Sequence, residues 1–171
     1  MTLRKVAACA LVVLAGATQV RGASPPEDQP DFLNLGIREF RAAYDAWTPA
    51  AFLQAAEMFE ADIAAHPNDA RAWYWQGAVL FHLASYYLHG RDRDRDPRRG
   101  ETYVDQGLRV LTEAVRLDPE FSESYALRGV LRGMKIKLNF WTVLANGPGV
   151  EQDRDRALAL NPVNPLSLIH I

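Results

Sequence analysis

Three apolar stretches of this chain end in the same way, with a polar residue followed by proline. The three endings are His66-Pro67, Asp118-Pro119 and Asn161-Pro162. Before the first of them, apolar residues recur at spacings of three and four, which is the pattern of a helix with one buried face. A similar ending repeated at intervals along one chain indicates an internal repeat, in which each unit is a small packing element that needs its neighbours.

The first repeat reads as two helices. An apolar pattern with helical spacing begins near Asp31 and reaches Trp47. Thr48-Pro49 ends this helix and opens the next, since proline is well tolerated in a helix's first turn. The second helix runs as far as the residue before Pro67. The short connection predicts an antiparallel helical hairpin.

Two of the proline endings share a longer register. Around the first, the chain reads Ala55-x3-Phe59, then Pro67, then Trp73-x2-Gln76-Gly77-x2-Leu80. Around the second, it reads Gly107-x3-Leu111, then Ala114 and Pro119, then Tyr125-x2-Arg128-Gly129-x2-Arg132. In both, eight positions separate the large apolar residue from proline, and six separate proline from the aromatic residue. This register resembles that of the tetratricopeptide-repeat (TPR) family, W-x2-L-G-x2-Y, then A-x3-F, then P, over 34 residues.

The resemblance implies an all-α fold, a short α-solenoid of antiparallel helix hairpins over residues 32–165. The hairpins are expected at 32–67, 68–119 and 120–162. Gly77 and Gly129 would let paired helices approach closely, while Trp73 and Tyr125 would fill the space between neighbouring hairpins. In the first hairpin the glycine position is assigned to Ala43 and the later small position to Asp62, so that unit is degenerate, as terminal repeats often are.

The proline endings lie 52 and 43 residues apart, further than the 34 of the repeat, so the second and third hairpins contain insertions. The first insertion extends a helix to Leu88 and continues as His89–Gly100, which has no large apolar residue and is expected to be a solvated loop. The second, 134–149, is interpreted as one long helix that ends near Asn146-Gly147-Pro148-Gly149. Lys135, Lys137, Phe140 and Trp141 are residue types found at membrane interfaces, but with only two cations we favour core packing.

The N-terminus has the layout of a secretory signal peptide. Arg4 and Lys5 precede the apolar run 6–16, which is too short to span a bilayer. Residues 1–22 are therefore expected to be a signal peptide cleaved after Gly22, or alternatively after Ala17, and 23–31 a flexible linker. Cleavage leaves 16 basic against 21 acidic residues and removes the only cysteine, Cys9. The sequence thus predicts a periplasmic or secreted protein with no stable membrane span and no basic face for nucleic acid.

The last six residues, Leu166 to Ile171, read LSLIHI. They match the translation of a transposon mosaic-end adapter used in DNA sequencing libraries, so we expect 166–171 to be non-native and the gene to continue beyond Pro165. The alternative is a genuine apolar tail.

The sequence shows no constellation that carries catalysis. A nucleophile beside a base, paired carboxylates or metal ligands at suitable spacing would be required. His82 and His89 share a helix face two turns apart but lack an H-E-x-x-H pattern, so both are interpreted as packing or surface residues. We therefore expect no enzyme activity, no cofactor and no metal. The alternative is an N-terminal fragment of a larger periplasmic enzyme, or of a transport or envelope-assembly component, whose active part is missing.

The TPR resemblance implies a partner-binding scaffold. In that family the first helices of successive hairpins line a concave groove that takes a protein or peptide. The positions carried over are Phe40, Tyr44, Trp47, Arg71, Tyr74, Ala78, Phe81, His82, Glu123, Ala126, Val130 and Met134. This lining is aromatic and sparsely charged, which suits an apolar peptide segment better than a charged tail. The oligomeric state cannot be derived from the pattern.

Overall fold

The computed structural model describes residues 30–91 and 94–163 of the 171-residue chain. The predicted signal peptide, linker positions 23–29 and the tail 166–171 lie outside these residues. So do Asp92 and Arg93, within the charged segment that follows His89. The described residues from Asp31 to Val163 belong to one compact unit.

The described residues form six α-helices and no strand. The helices are α1 (Phe32–Ala46), α2 (Pro49–Ala65), α3 (Ala70–His89), α4 (Pro97–Leu117), α5 (Ser122–Leu138) and α6 (Val143–Leu160). Each packs mainly against its neighbours in the chain, with α1 on α2, α3 on α4 and α5 on α6. The predicted all-α solenoid of helix hairpins is confirmed.

Polar side chains and prolines explain where the first helices begin. Asp31 accepts a hydrogen bond from the Asn34 backbone N–H at 3.0 Å and so caps α1. Thr48 accepts one from the Ala51 N–H at 3.4 Å, and Pro49 occupies the first turn of α2. These caps satisfy backbone donors that have no partner within the helix. The helices predicted from Asp31 to Trp47 and from Pro49 to the residue before Pro67 are confirmed.

The aromatic residue six positions after proline has a specific contact. The Trp73 Nε1–H donates to the Pro67 carbonyl at 2.9 Å, and the Tyr125 hydroxyl donates to the Pro119 carbonyl at 3.2 Å. Each bond ties the first helix of one hairpin to the turn that ends the previous hairpin. The six-residue spacing in the sequence therefore corresponds to the same hydrogen bond in both hairpins.

Close approach of the paired helices rests on glycine, at one expected position and one unexpected position. A Cβ atom on Gly77 would lie 2.6 Å from the Leu111 side chain, and one on Gly36 would lie 2.6 Å from the Phe59 ring. Gly36 therefore occupies in the first hairpin the place of Gly77 in the second. The assignment of that position to Ala43 is wrong, because Ala43 packs in the core one turn before the end of α1.

The loop after α3 is shorter than predicted. Helix α4 begins at Pro97, where Asp96 accepts a hydrogen bond from the Arg99 N–H at 3.0 Å, so residues 97–100 are helical. The segment is uniformly polar, which predicts a loop, but the capping aspartate and the proline favour the start of a helix.

The long helix expected through 134–149 is also wrong. Helix α5 ends at Leu138, a single 3-10 turn follows at Phe140–Thr142, and Asn146 to Gly149 lie inside α6. Asn139 causes the break, since its side chain accepts a hydrogen bond from the Trp141 N–H at 3.1 Å and caps the next turn. Core packing of Phe140 and Trp141 is likewise wrong, because both side chains are largely exposed.

Buried side chains form two core clusters. The first joins α1, α2 and α3 around Phe52, Phe59 and Leu83. The second joins α3, α4 and α5 around Leu111 and Leu131. Among the described residues, no helix combines the length and apolarity that a membrane crossing requires.

Candidate functional site

An aromatic cluster surrounds His82 near the middle of α3. The ring centroids of Phe40, Tyr44, Trp47 and Phe81 lie 5.1–5.6 Å from that of His82. A fifth ring, from Phe52, is stacked parallel to the imidazole at 5.2 Å. We call these six residues the His82 cluster.

Three elements position the cluster. Phe40 and Tyr44 lie one turn apart on α1, Phe52 comes from the first turn of α2, and Phe81 is the neighbour of His82 on α3. Trp47 caps α1 with a left-handed backbone, at φ 49° and ψ 49°. This conformation is uncommon for a bulky residue and costs free energy. The fold thus accepts backbone strain at the residue that carries the indole ring of this cluster.

One ring nitrogen of His82 lacks a hydrogen bond. The Nδ1 atom is buried and has no partner among the described residues. Burial lowers the pKa of His82 from 6.5 to about 4, because the apolar surroundings disfavour the charged ring. At neutral pH the cluster therefore holds an uncharged imidazole. An unsatisfied buried polar atom in a folded protein requires a physical explanation.

The outer edge of the cluster is open to solvent. The Tyr44 and Trp47 side chains are 57% and 42% exposed. Their rings meet edge to face at 5.6 Å. Adjacent exposed aromatic rings over an apolar floor are typical of a binding surface, because such rings contribute a large contact area at low entropic cost.

The other predicted groove residues lie outside this cluster. The ring centroids of Tyr74 and Phe121 lie 5.0 Å apart. Burial, together with the nearby charge of Glu123, raises the pKa of Tyr74 to about 12. Arg71 is bound to Asp69, with an Nη2–Oδ2 distance of 2.7 Å. The remaining four positions are the buried Ala78 and Ala126 and the half-buried Val130 and Met134. The structure thus gathers Phe40, Tyr44, Trp47, Phe81 and His82 into one site and leaves the other seven outside it.

A second polar cluster lies between α5 and α6. The carboxylate of Asp153 is fully buried and accepts hydrogen bonds from Arg128 at 2.6 and 3.0 Å and from Arg132 at 2.7 Å. Arg132 also donates to the Gly149 carbonyl at 2.8 Å. Burial lowers the pKa of Arg132, and the charge of Asp153 opposes that shift. We call Arg128, Arg132 and Asp153 the Asp153 cluster; both of its carboxylate oxygens have partners.

Sequence reasoning missed two of the residues described above. The predicted lining comes from the first helix of each hairpin and therefore omits Phe52, which lies on a second helix. Asp153 lies among charged residues, so its sequence pattern is that of a surface position. The available signal was the arginine at positions 128 and 132, where the repeat pattern has apolar or aromatic residues. Within the described ranges no group of histidine and acidic side chains is arranged to hold a metal ion.

No protein-family model matches this sequence, and no curated protein shows significant similarity to it.

Proposed function

We propose that this chain is an exported TPR-like scaffold that binds an apolar segment of a protein or peptide at the His82 cluster. The single observation that carries the proposal is the uncharged, unpaired imidazole enclosed by five aromatic rings, two of which are exposed. The export part rests on the sequence pattern of residues 1–22 alone.

The chemistry of the cluster favours an uncharged ligand. None of its six side chains carries a charge at neutral pH, and burial is the only cause that lowers the His82 pKa. A charged ligand group would lose its hydration here without gaining an opposite charge. An apolar side chain would bury its surface against the Tyr44 and Trp47 rings, and exposed aromatic residues of this kind dominate binding energies at interfaces.

The imidazole supplies the polar part of recognition. A neutral histidine has one donor and one acceptor nitrogen, so it can pair with either a backbone carbonyl or a backbone N–H of a peptide. The Nδ1 atom is buried and has no hydrogen-bond partner in the part of the chain that the structure describes. We expect the exposed Tyr44 and Trp47 rings to turn aside when a peptide seats, which gives the ligand access to the imidazole.

A peptide selection tests this proposal. Twelve-residue peptides selected from a random display library against the full chain are expected to be rich in apolar residues and poor in charge. Trp47→Gly is expected to weaken their binding about tenfold or more. Glycine is the suitable replacement, because it adopts a positive φ without strain and so preserves the cap of α1.

Phe140→Ser is the matched control, because it also removes one exposed aromatic ring but lies outside the cluster. Its binding is expected to equal that of the unmodified chain. Selected peptides that are highly charged, or that bind Trp47→Gly as tightly as the unmodified chain, would overturn the proposal.

A further inference from the structure

Three large apolar side chains project from the connection between α5 and α6. Phe140 is 73% exposed, and Trp141 and Leu144 are each 88% exposed. We call these three residues the tip patch. Exposure of large apolar side chains to water is energetically unfavourable, and patches of such side chains mark interaction sites.

Hydrogen bonds hold the tip patch in place. Asn139 accepts from the Trp141 N–H at 3.1 Å, and the Thr142 hydroxyl donates to the Asn139 carbonyl at 2.7 Å. The Asn146 side chain then donates to the Thr142 carbonyl at 3.1 Å. The 3-10 turn is therefore capped on both sides, and its side chains are held outward by a defined backbone.

Two basic side chains lie at the end of α5, next to the tip patch. Lys137 lies three residues before Phe140 and lines, with Arg95 and Met134, a cleft of about 240 Å³ between the α3–α4 connection and the end of α5. The nearby acidic residues Glu101 and Asp105 are neutralised in part by Lys135, at 2.9 and 2.8 Å. The described residues of the segment that contributes Arg95, 91 and 94–99, contain four arginines against two aspartates.

We propose that the tip patch inserts into the interfacial zone of a phospholipid bilayer with anionic headgroups. Tryptophan, phenylalanine and leucine beside lysine and arginine are the combination that binds this zone, where apolar rings enter the acyl boundary and cations meet the phosphates. The tip patch lies where α5 passes into α6, whereas the His82 cluster lies between α1, α2 and α3. This attachment is peripheral and independent of the proposed peptide binding.

A local probe tests the insertion without interference from the apolar N-terminal run. Cys9 is the only cysteine, so Cys9→Ser allows one new cysteine to be labelled with the environment-sensitive dye NBD. In the full chain, NBD on Leu144→Cys is expected to shift to the blue and escape quenching by iodide when phosphatidylglycerol-containing vesicles are added. The matched control is Val163→Cys, which is 78% exposed at the opposite end of α6 and is expected to show neither change.

A double variant and a second vesicle composition complete the experiment. Phe140→Ser with Trp141→Ser, in the labelled chain, is expected to weaken the vesicle response roughly a hundredfold, since each large apolar side chain is worth at least a factor of ten. Vesicles of phosphatidylcholine alone are expected to give a weaker response that does not depend on salt.

Three outcomes would overturn the proposal. The first is an unchanged dye spectrum with both vesicle types. The second is an equal response at Val163→Cys. The third is a blue shift that appears without vesicles and grows with protein concentration, which would make a second copy of the chain the occupant of the tip patch.

Discussion

Several polar groups are buried among the described residues, and two clusters treat theirs in opposite ways. In the Asp153 cluster the buried carboxylate meets two arginines through three hydrogen bonds. In the His82 cluster the buried Nδ1 has no hydrogen-bond partner among the described residues, and five aromatic rings lie around the imidazole. A buried charge persists only when it is paired, whereas a neutral unpaired imidazole imposes a smaller cost that a fold can tolerate.

The difference separates a cluster that joins two helices from the cluster that we propose as a binding site. The Asp153 cluster joins α5 to α6 by ion pairs, whereas α3 and α4 approach through the apolar contact of Gly77 with Leu111. Both oxygens of its buried carboxylate are already bonded to arginines. The His82 cluster retains unused capacity next to exposed rings. An unpaired buried polar atom departs from the usual pairing, and folds retain such departures at functional or strained sites.

Removing the carboxylate should produce the largest effect. Asp153→Ala leaves Arg128 and Arg132 buried without a counter-charge, so we expect a loss of about 3–5 kcal/mol in the free energy of unfolding. Urea denaturation followed by circular dichroism measures it. Asp155→Ala, two residues away in an exposed pair with Arg154, is the control and should leave the urea midpoint unchanged. Equal midpoints for the two variants would contradict the structural role of the Asp153 cluster.

Acid should weaken the fold through His82. Its pKa is about 4 in the folded chain against 6.5 for an unperturbed histidine, so between these values the unfolded chain binds more protons. Stability attributable to His82 is therefore complete above about pH 6.5 and is lost as the pH falls to about 4. We expect this loss to be roughly 2 kcal/mol, a value reduced for partial exposure.

The measurement is the urea midpoint between pH 7 and pH 4 for the unmodified chain and for His82→Phe, which cannot titrate there. The steeper fall should belong to the unmodified chain. Parallel curves would show that His82 is not held neutral by its aromatic neighbours.

Replacing His82 with an apolar ring should change the free energy of unfolding less than Asp153→Ala does, and in the opposite direction. His82→Phe removes the unpaired Nδ1 and keeps a planar ring among the five aromatic neighbours, so we expect stability at pH 7 to rise by about 1 kcal/mol. The same change removes the polar contact and should weaken binding of the selected peptides. A destabilised variant that keeps full peptide binding would contradict both statements.

The fold was more predictable from sequence than the site, and particular residues show why. Thr48-Pro49 and Pro67 act through the local backbone, so the helix ends they signal are readable directly. Asn139 ends α5 through one side-chain hydrogen bond within an apolar stretch, and the surrounding pattern gives no sign of it. Phe52 and Asp153 gain their roles from partners on other helices. Spacing within one helix carries no information about such partners.

The most direct test of the proposed peptide binding observes the imidazole of His82 itself. The chain would be labelled with ¹⁵N in histidine, and the ring nitrogen resonances would be assigned by replacing each histidine in turn. A selected apolar peptide is then added in increasing amounts. We expect the His82 nitrogen shifts to move and saturate with the binding curve while those of His66 and His89 remain in place. A peptide that binds to saturation without moving the His82 nitrogens would contradict the account.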